Sequence, residues 1–360
     1  MTEIDPARPL PALPWGVHDG RARFREIFAA VRARHGRRWA DDMPVEEALR
    51  RLPDEPPPTG RPVPLGRARA CWRILLVPGL YGECVADLVT PFAGALEHLD
   101  VAYGYRTALL PVSGRASSRH NAAQIRDFLA ALPAAADEKL VLVGYSKGIC
   151  DVLEAVVAHG SVRQRVDAVV SIAGAVGGSA LAERVPEPLH TLISQVDLPF
   201  CDPGDGGGIE SLRRANRRRW LRRHALPGSV RWFSLVALPE PERVSAILRP
   251  GHRHLAAIDP ANDGQVLWTD AIIPGGTLLG YANADHWSVA LPIVRGAPAR
   301  LQALAATLVD RNAFPREVLL EAVVRQVEEE LARPDPQAWL RQFLRQRPAR
   351  PGARSGRGAA

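Results

Sequence analysis

The spacing of apolar positions changes period several times along this chain. Phe24, Ile27, Phe28 and Val31 recur at i, i+3, i+4 and i+7, and Val45, Ala48, Leu49 and Leu52 repeat that spacing, which predicts two short amphipathic helices. A proline-rich run over 52–64 then predicts an extended, semi-rigid linker. From residue 73 onward the pattern alternates. Short apolar runs at 73–77, 101–110, 140–143 and 166–173 read as strands, and the stretches at 86–98, 121–132 and after 148 read as helices. Strands that alternate with helices predict a mostly parallel sheet covered by helices on both faces, with reactive residues at the carboxyl ends of the strands.

The alternation stops after residue 175 and resumes only at the strand predicted over 230–237. A gap of that length is not an ordinary connection in a compact domain, so 176–228 is read as an insertion. A loop over 239–264, a last strand at 276–281 and a helix at 298–308 complete the alternating body. Leu320, Val324, Val327 and Leu331 predict one more amphipathic helix, and Trp339, Leu340 and Phe343 a short last one. The basic, Pro/Gly-rich end at 347–360 has the composition of a disordered tail. The chain thus divides into a helical, Pro-rich extension at 1–70, a body at 71–312 and C-terminal helices with a tail at 313–360.

Composition narrows the class. An apolar fraction of 46% supplies a full core, while no run approaches the ~18 consecutive apolar residues of a membrane span. The N-terminus lacks a charged-then-apolar signal pattern, so a soluble, cytoplasmic protein is expected. Cys71, Cys84, Cys150 and Cys201 are scattered without metal-ligand spacing and read as reduced, packed thiols. The net charge of +7 is carried almost wholly by arginine, since only Lys139 and Lys147 are lysines. Seven arginines gather at 213–223, but Trp220 is the sole aromatic among them, so no nucleic-acid partner is expected. A solvated helix face is the plainer reading, and contact with anionic lipid stays open. His252 and His254 stand at metal-pair spacing without a third ligand nearby and read as loop residues.

The chemistry centres on Gly144-Tyr145-Ser146-Lys147-Gly148, set between the strand at 140–143 and a helical pattern that holds Val152, Leu153, Val156 and Val157. A serine at the tip of such a turn sits in strained backbone, and flanking glycines let strand and helix pass without a side-chain clash. This G-x-S-x-G turn resembles the nucleophile elbow of the α/β-hydrolase family. The resemblance extends over roughly 72–312 and implies an α/β-hydrolase fold, with 176–228 as its helical lid. It also implies a Ser, Asp, His order of reacting groups. His286, just past the last predicted strand in Ala-Asp-His-Trp-Ser, resembles the family's histidine loop. Asn262-Asp263-Gly264-Gln265-Val266 resembles the N-D-G-x-V signature of bacterial lipases and makes Asp263 the acid. Asp270 and, more weakly, Asp259 compete with it. The oxyanion donors implied are the backbone N–H groups of Lys147 and Leu80, although Pro78-Gly79 stands where many lipases carry His-Gly.

The resulting expectation is a lipase- or esterase-like serine hydrolase acting on a medium or long acyl ester, small molecule or lipid, with no metal or organic cofactor. An acyltransferase or thioesterase would use the same residues, and a non-catalytic binding protein would keep the fold alone. The Lys147 side chain has two readings, either a stem that reaches water or a cation that favours an anionic substrate. The pattern is silent on oligomeric state.

Overall fold

The computed structural model describes residues 13–14, 16–68, 70–82, 89–133, 135, 137–184, 202 and 204–333. The short helix predicted around 339–343, the basic tail, Cys84 and Cys201 lie outside the described residues. In chain order the elements are β1 (His18–Asp19), α1 (Arg21–His35), α2 (Val45–Ala48), β2 (Leu49–Arg50), β3 (Cys71–Val77), α3 (Ala93–Tyr103), β4 (Arg106–Leu109), α4 (Ser118–Ala131), β5 (Glu138–Tyr145), α5 (Gly148–Ala158), α6 (Gly160–Arg165) and β6 (Ala168–Ile172). There follow α7 (Gly208–Leu212), α8 (Arg214–Arg223), β7 (Arg231–Ala237), α9 (Arg249–Ala256), β8 (Thr277–Ala282), α10 (Ile293–Gly296), α11 (Ala299–Leu308) and α12 (Arg316–Ala332).

The strands form one sheet in the order β1-β8-β7-β6-β5-β3-β4, parallel throughout, with β2 added antiparallel to β8. Side chains of β5 alternate between two cores. Val141 and Val143 join a cluster with Phe24, Phe28, Leu319 and Val323, whereas Leu140 and Leu142 join one with Ile149, Val152 and Val156. Burial on both faces is why the central strands read as continuous apolar runs. The chain runs from β3 outward to β4 and then returns to β5 on the other side of β3. That reversal opens a crevice beyond the carboxyl ends of β3 and β5, where ligands settle in open α/β sheets.

The structure departs from the sequence reading in several places. The run at 101–110 is not one strand: α3 continues through Tyr103, Gly104 ends it at φ 76°, and only Arg106–Leu109 is extended. The left-handed turn at Gly104 supplies the usual helix stop. The loop expected over 239–264 contains α9. The second N-terminal helix is a single turn, because the chain leaves it at Leu49 to pair Leu49 with Ala282 and Arg50 with Tyr281. Together with β1, which pairs His18 and Asp19 with Thr277 and Leu278, β2 covers the outer edge of β8. Helix α1 packs on α12, and α12 on α3, so residues at both ends of the described chain form one layer over one face of the sheet. Every residue of α12 from Arg316 to Val327 is buried. Among the described residues, no helix is long and apolar enough to cross a membrane.

Candidate active site

Ser146 stands between β5 and α5 with φ at 54°, a left-handed backbone that costs a non-glycine residue on the order of 1–3 kcal/mol. The neighbouring glycines make that turn sterically feasible. A Cβ on Gly148 would lie 2.2 Å from the Val77 carbonyl oxygen, and one on Gly144 would lie 2.5 Å from Cα of Ile149. A Cβ on Gly79 would lie 2.8 Å from that of Ser146, so the loop after β3 can cross the serine only as glycine.

The expected partners converge here. His286 Nε2 lies 2.8 Å from Ser146 Oγ, and His286 Nδ1 lies 2.7 Å from Asp263 Oδ2. The other Asp263 oxygen accepts the amides of Gln265 and Val266 at 2.8 and 2.7 Å, a turn completed by Gly264 at φ 92°. Asp263 and His286 are both buried. Asp285 turns away from the imidazole: its oxygens accept from the Ser245, Trp287 and Ser288 amides and from the Ser288 hydroxyl, which shapes the loop carrying His286.

The rival acids have other partners. Asp259 accepts from the Ala261 amide and the Trp268 indole. Asp270 is bridged by Arg214 at 2.7 Å and Arg218 at 3.1 Å. Burial pushes its pKa up, and the two arginines oppose that rise.

Leu80 lines the cavity beside Ser146 together with Gly79 and Tyr81. Among the described residues, neither the Leu80 nor the Lys147 amide donates to a backbone acceptor. Tyr81 is itself left-handed, at φ 59°, and its amide is held by the Gly114 carbonyl at 3.0 Å. The Lys147 side chain matches neither reading from sequence. It is 1% exposed, and its Nζ donates to both oxygens of Asp151 at 2.8 and 3.0 Å, within the protein rather than toward water or the cavity. Asn121 donates to the same carboxylate at 2.8 Å and to the Ser113 carbonyl at 3.0 Å. Loop 113–115 therefore ties the segment after β3 to the start of α5.

Sequence reasoning passed over several of these groups. The Asp151 spacing of four from Lys147 was visible, but nothing in the pattern indicated that the pair would be buried. The Tyr145 hydroxyl donates to the His286 carbonyl at 2.7 Å, a contact that only the fold creates. Cys150 is buried against the Ala175 carbonyl, and burial raises its pKa, so it stays a thiol. His254 faces Arg184 at 3.1 Å.

The cavity is about 360 Å³ and mostly apolar, lined by Val89, Pro91, Trp287 and Leu291 and by Ile209 and Leu212 of α7. The arginine segment that follows Leu212 is only partly the solvated face expected. Arg218, Arg219, Arg222 and Arg223 are exposed. Arg217 is instead buried, donating to the Val176 carbonyl at 3.2 Å and lying 4.6 Å from the Trp220 ring centre.

No family model matches the chain, and no curated protein matches it. Among solved structures, a metagenomic carboxyl esterase is 45% identical, with 89% of this chain and 96% of that one covered at a TM-score of 0.83. The mature lipase of Bacillus licheniformis is 22% identical over 63% of this chain and 89% of that one, at a TM-score of 0.47. The fold and the first of these likenesses define an α/β-hydrolase. The chain belongs to the esterase/lipase-like members of that family and is a hydrolase.

Proposed function

We propose that the protein hydrolyses carboxylic esters through a Ser146–His286–Asp263 triad and an acyl-enzyme. The observation that carries the reading is the unbroken chain of contacts at 2.8 and 2.7 Å from Ser146 through His286 to Asp263, opening onto an apolar cavity. The carboxyl esterase likeness supports the same reaction class.

Ser146 Oγ attacks the acyl carbonyl as His286 Nε2 takes its proton, and Asp263 holds the imidazole in the required tautomer and balances its positive charge. The Leu80 and Lys147 amides hold the oxyanion, each contributing on the order of 3 kcal/mol to the barrier reduction. Collapse expels the alcohol, which leaves with the proton held by His286. Water, deprotonated by the same nitrogen, then releases the acid and restores Ser146. No step needs a metal or organic cofactor. At about 360 Å³ the cavity is at the small end for ligand sites, which favours a medium acyl chain; a longer one would have to emerge past α7. Residues 176–228 act as the lid in this reading, which the lining of the cavity by Ile209 and Leu212 of that segment supports.

A panel of p-nitrophenyl esters of rising acyl length, run on wild type and Ser146→Ala, tests the proposal. Wild type turns over the panel with an optimum at medium length, and the variant loses on the order of a million-fold in kcat. Ester hydrolysis that survives the substitution would sink the mechanism.

A further inference from the structure

On the face of the sheet covered by α1, α3 and α12, those three helices bring together metal-ligating side chains that ester chemistry does not use. His35 ends α1, His98 lies on α3, and Glu321 lies in the middle of α12. One ring nitrogen of each histidine and a Glu321 carboxylate oxygen all lie within 4.8 Å of one another. The site is interior: His35 is 6% exposed and Glu321 fully buried.

Hydrogen bonding leaves the cluster incomplete. His98 Nε2 lies 2.8 Å from Glu321 Oε2, and His35 Nε2 lies 2.6 Å from the Tyr103 hydroxyl. His35 Nδ1 is nevertheless buried without a hydrogen-bond partner, and Glu321 Oε1 has Arg325 Nε only at 3.6 Å, beyond hydrogen-bond reach. An orphaned polar atom of that kind costs on the order of 1–3 kcal/mol, and beside two further metal-ligating groups it calls for a ligand.

We propose that His35, His98 and Glu321 hold a zinc ion that cross-links α1, α3 and α12. Two imidazoles and a carboxylate are a regular three-ligand zinc donor set, which leaves the fourth tetrahedral position to water. Zinc–ligand bonds of about 2.0–2.1 Å put tetrahedral donors roughly 3.4 Å apart, so small side-chain rotations bring the present atoms onto the ion. Tyr103 lies against His35 and can tie its second nitrogen, the contact that fixes a ligand's tautomer. Arg325 lies 3.6 Å from Glu321 Oε1 with its charge offset by Glu328 at 3.1 Å, and Arg34 and Arg38 also stand close enough to act on His35. His98 and Glu321 are 223 residues apart, so the ion would close long loops that join the first and last described helices to the body. The function is structural and independent of the ester-hydrolase reading.

The test uses untagged full-length protein, dialysed against metal-free buffer after loading with zinc chloride, with zinc measured by mass spectrometry. The expected result is one zinc per chain in wild type and in His252→Gln/His254→Gln, which removes the histidine pair of α9, and none in Glu321→Gln or His98→Gln. Thermal unfolding supplies a second readout that needs no variant. EDTA lowers Tm, and added zinc at ~100 times its Kd raises it by on the order of 5 °C. Substoichiometric zinc in wild type with a Tm that added zinc does not move would overturn the proposal. So would full retention of the ion in Glu321→Gln and His98→Gln.

Discussion

The elbow beneath the cavity and the arginine-rich segment above it are held by different kinds of contact. At the elbow the constraint is backbone against backbone: Gly144, Gly148 and Gly79 each sit where a single added carbon would collide with main chain or with Ser146. Above the cavity, α7 and α8 are held mainly by polar groups reaching far across the sequence. The Gly208 amide donates to the Arg115 carbonyl, the Ser118 amide to the Ser211 hydroxyl, Arg217 to the Val176 carbonyl, and Arg214 and Arg218 to Asp270. Close-packed backbone has one arrangement, whereas the exposed end of the charged set, Arg218 on Asp270, can be exchanged for water at little cost. The floor of the site is thus set by steric rules, and α8 by long-range polar contacts, one of them open to solvent.

The comparison can be broken most sharply at its two acids, which are seven positions apart. Asp263 belongs to the floor through His286, so Asp263→Asn is expected to lower kcat on the order of ten-thousand-fold by leaving the imidazole in the wrong tautomer. Steady-state kinetics on a medium-chain ester reads the effect. A loss under about tenfold would remove Asp263 from the triad and leave His286 without its proposed acid.

Lys147 sharpens the floor's side of the contrast. It is the residue on which sequence reasoning went furthest astray, because charge and position beside the serine suggested a role toward substrate or solvent. Its ammonium instead neutralises Asp151 inside the protein. Lys147→Met strands a buried carboxylate and is expected to cost about 3–5 kcal/mol of stability, most of it recovered in Lys147→Met/Asp151→Leu. Urea unfolding midpoints measure both. If the single variant unfolds at the wild-type midpoint, the pair is not a structural element of the elbow.

What could be read from the sequence follows the same division. The elbow was legible because its glycines answer to steric rules acting within a few residues, and Asp263 because Gly264 beside it permits the turn that the Gln265 and Val266 amides complete. Alternating strands and helices gave the sheet, because its central strands are buried on both faces. Strands β1 and β2, two residues each, carry no period to detect and exist only because β8 offers an open edge. The end of α3 was misread because Val101 and Tyr103 are good strand residues; only Tyr103 is buried, Val101 stays exposed, and the helix runs on to its stop at Gly104. The partners of Arg214, Arg217 and Arg218 lie 41 to 56 positions away, beyond any local pattern.

Asp270 gives the smallest and most specific test. In the structure it is the anchor of α8, drawing Arg214 and Arg218 onto the end of the loop that follows Asp263. Asp270→Asn keeps the shape and can still accept from one arginine, but it loses the charge that holds both. The triad contacts do not involve it, so kcat should stay within about threefold of wild type, while KM rises a few-fold through looser apolar walls at Ile209 and Leu212. The rise should be greatest for the longest acyl chain accepted, because that chain reaches furthest under α7. Added salt should shift wild-type KM in the same direction, since Arg218 is half exposed and its attraction to Asp270 is open to screening. If Asp270→Asn instead lowers kcat alongside Asp263→Asn at unchanged KM, α8 and the floor act as a single unit and the division between them fails.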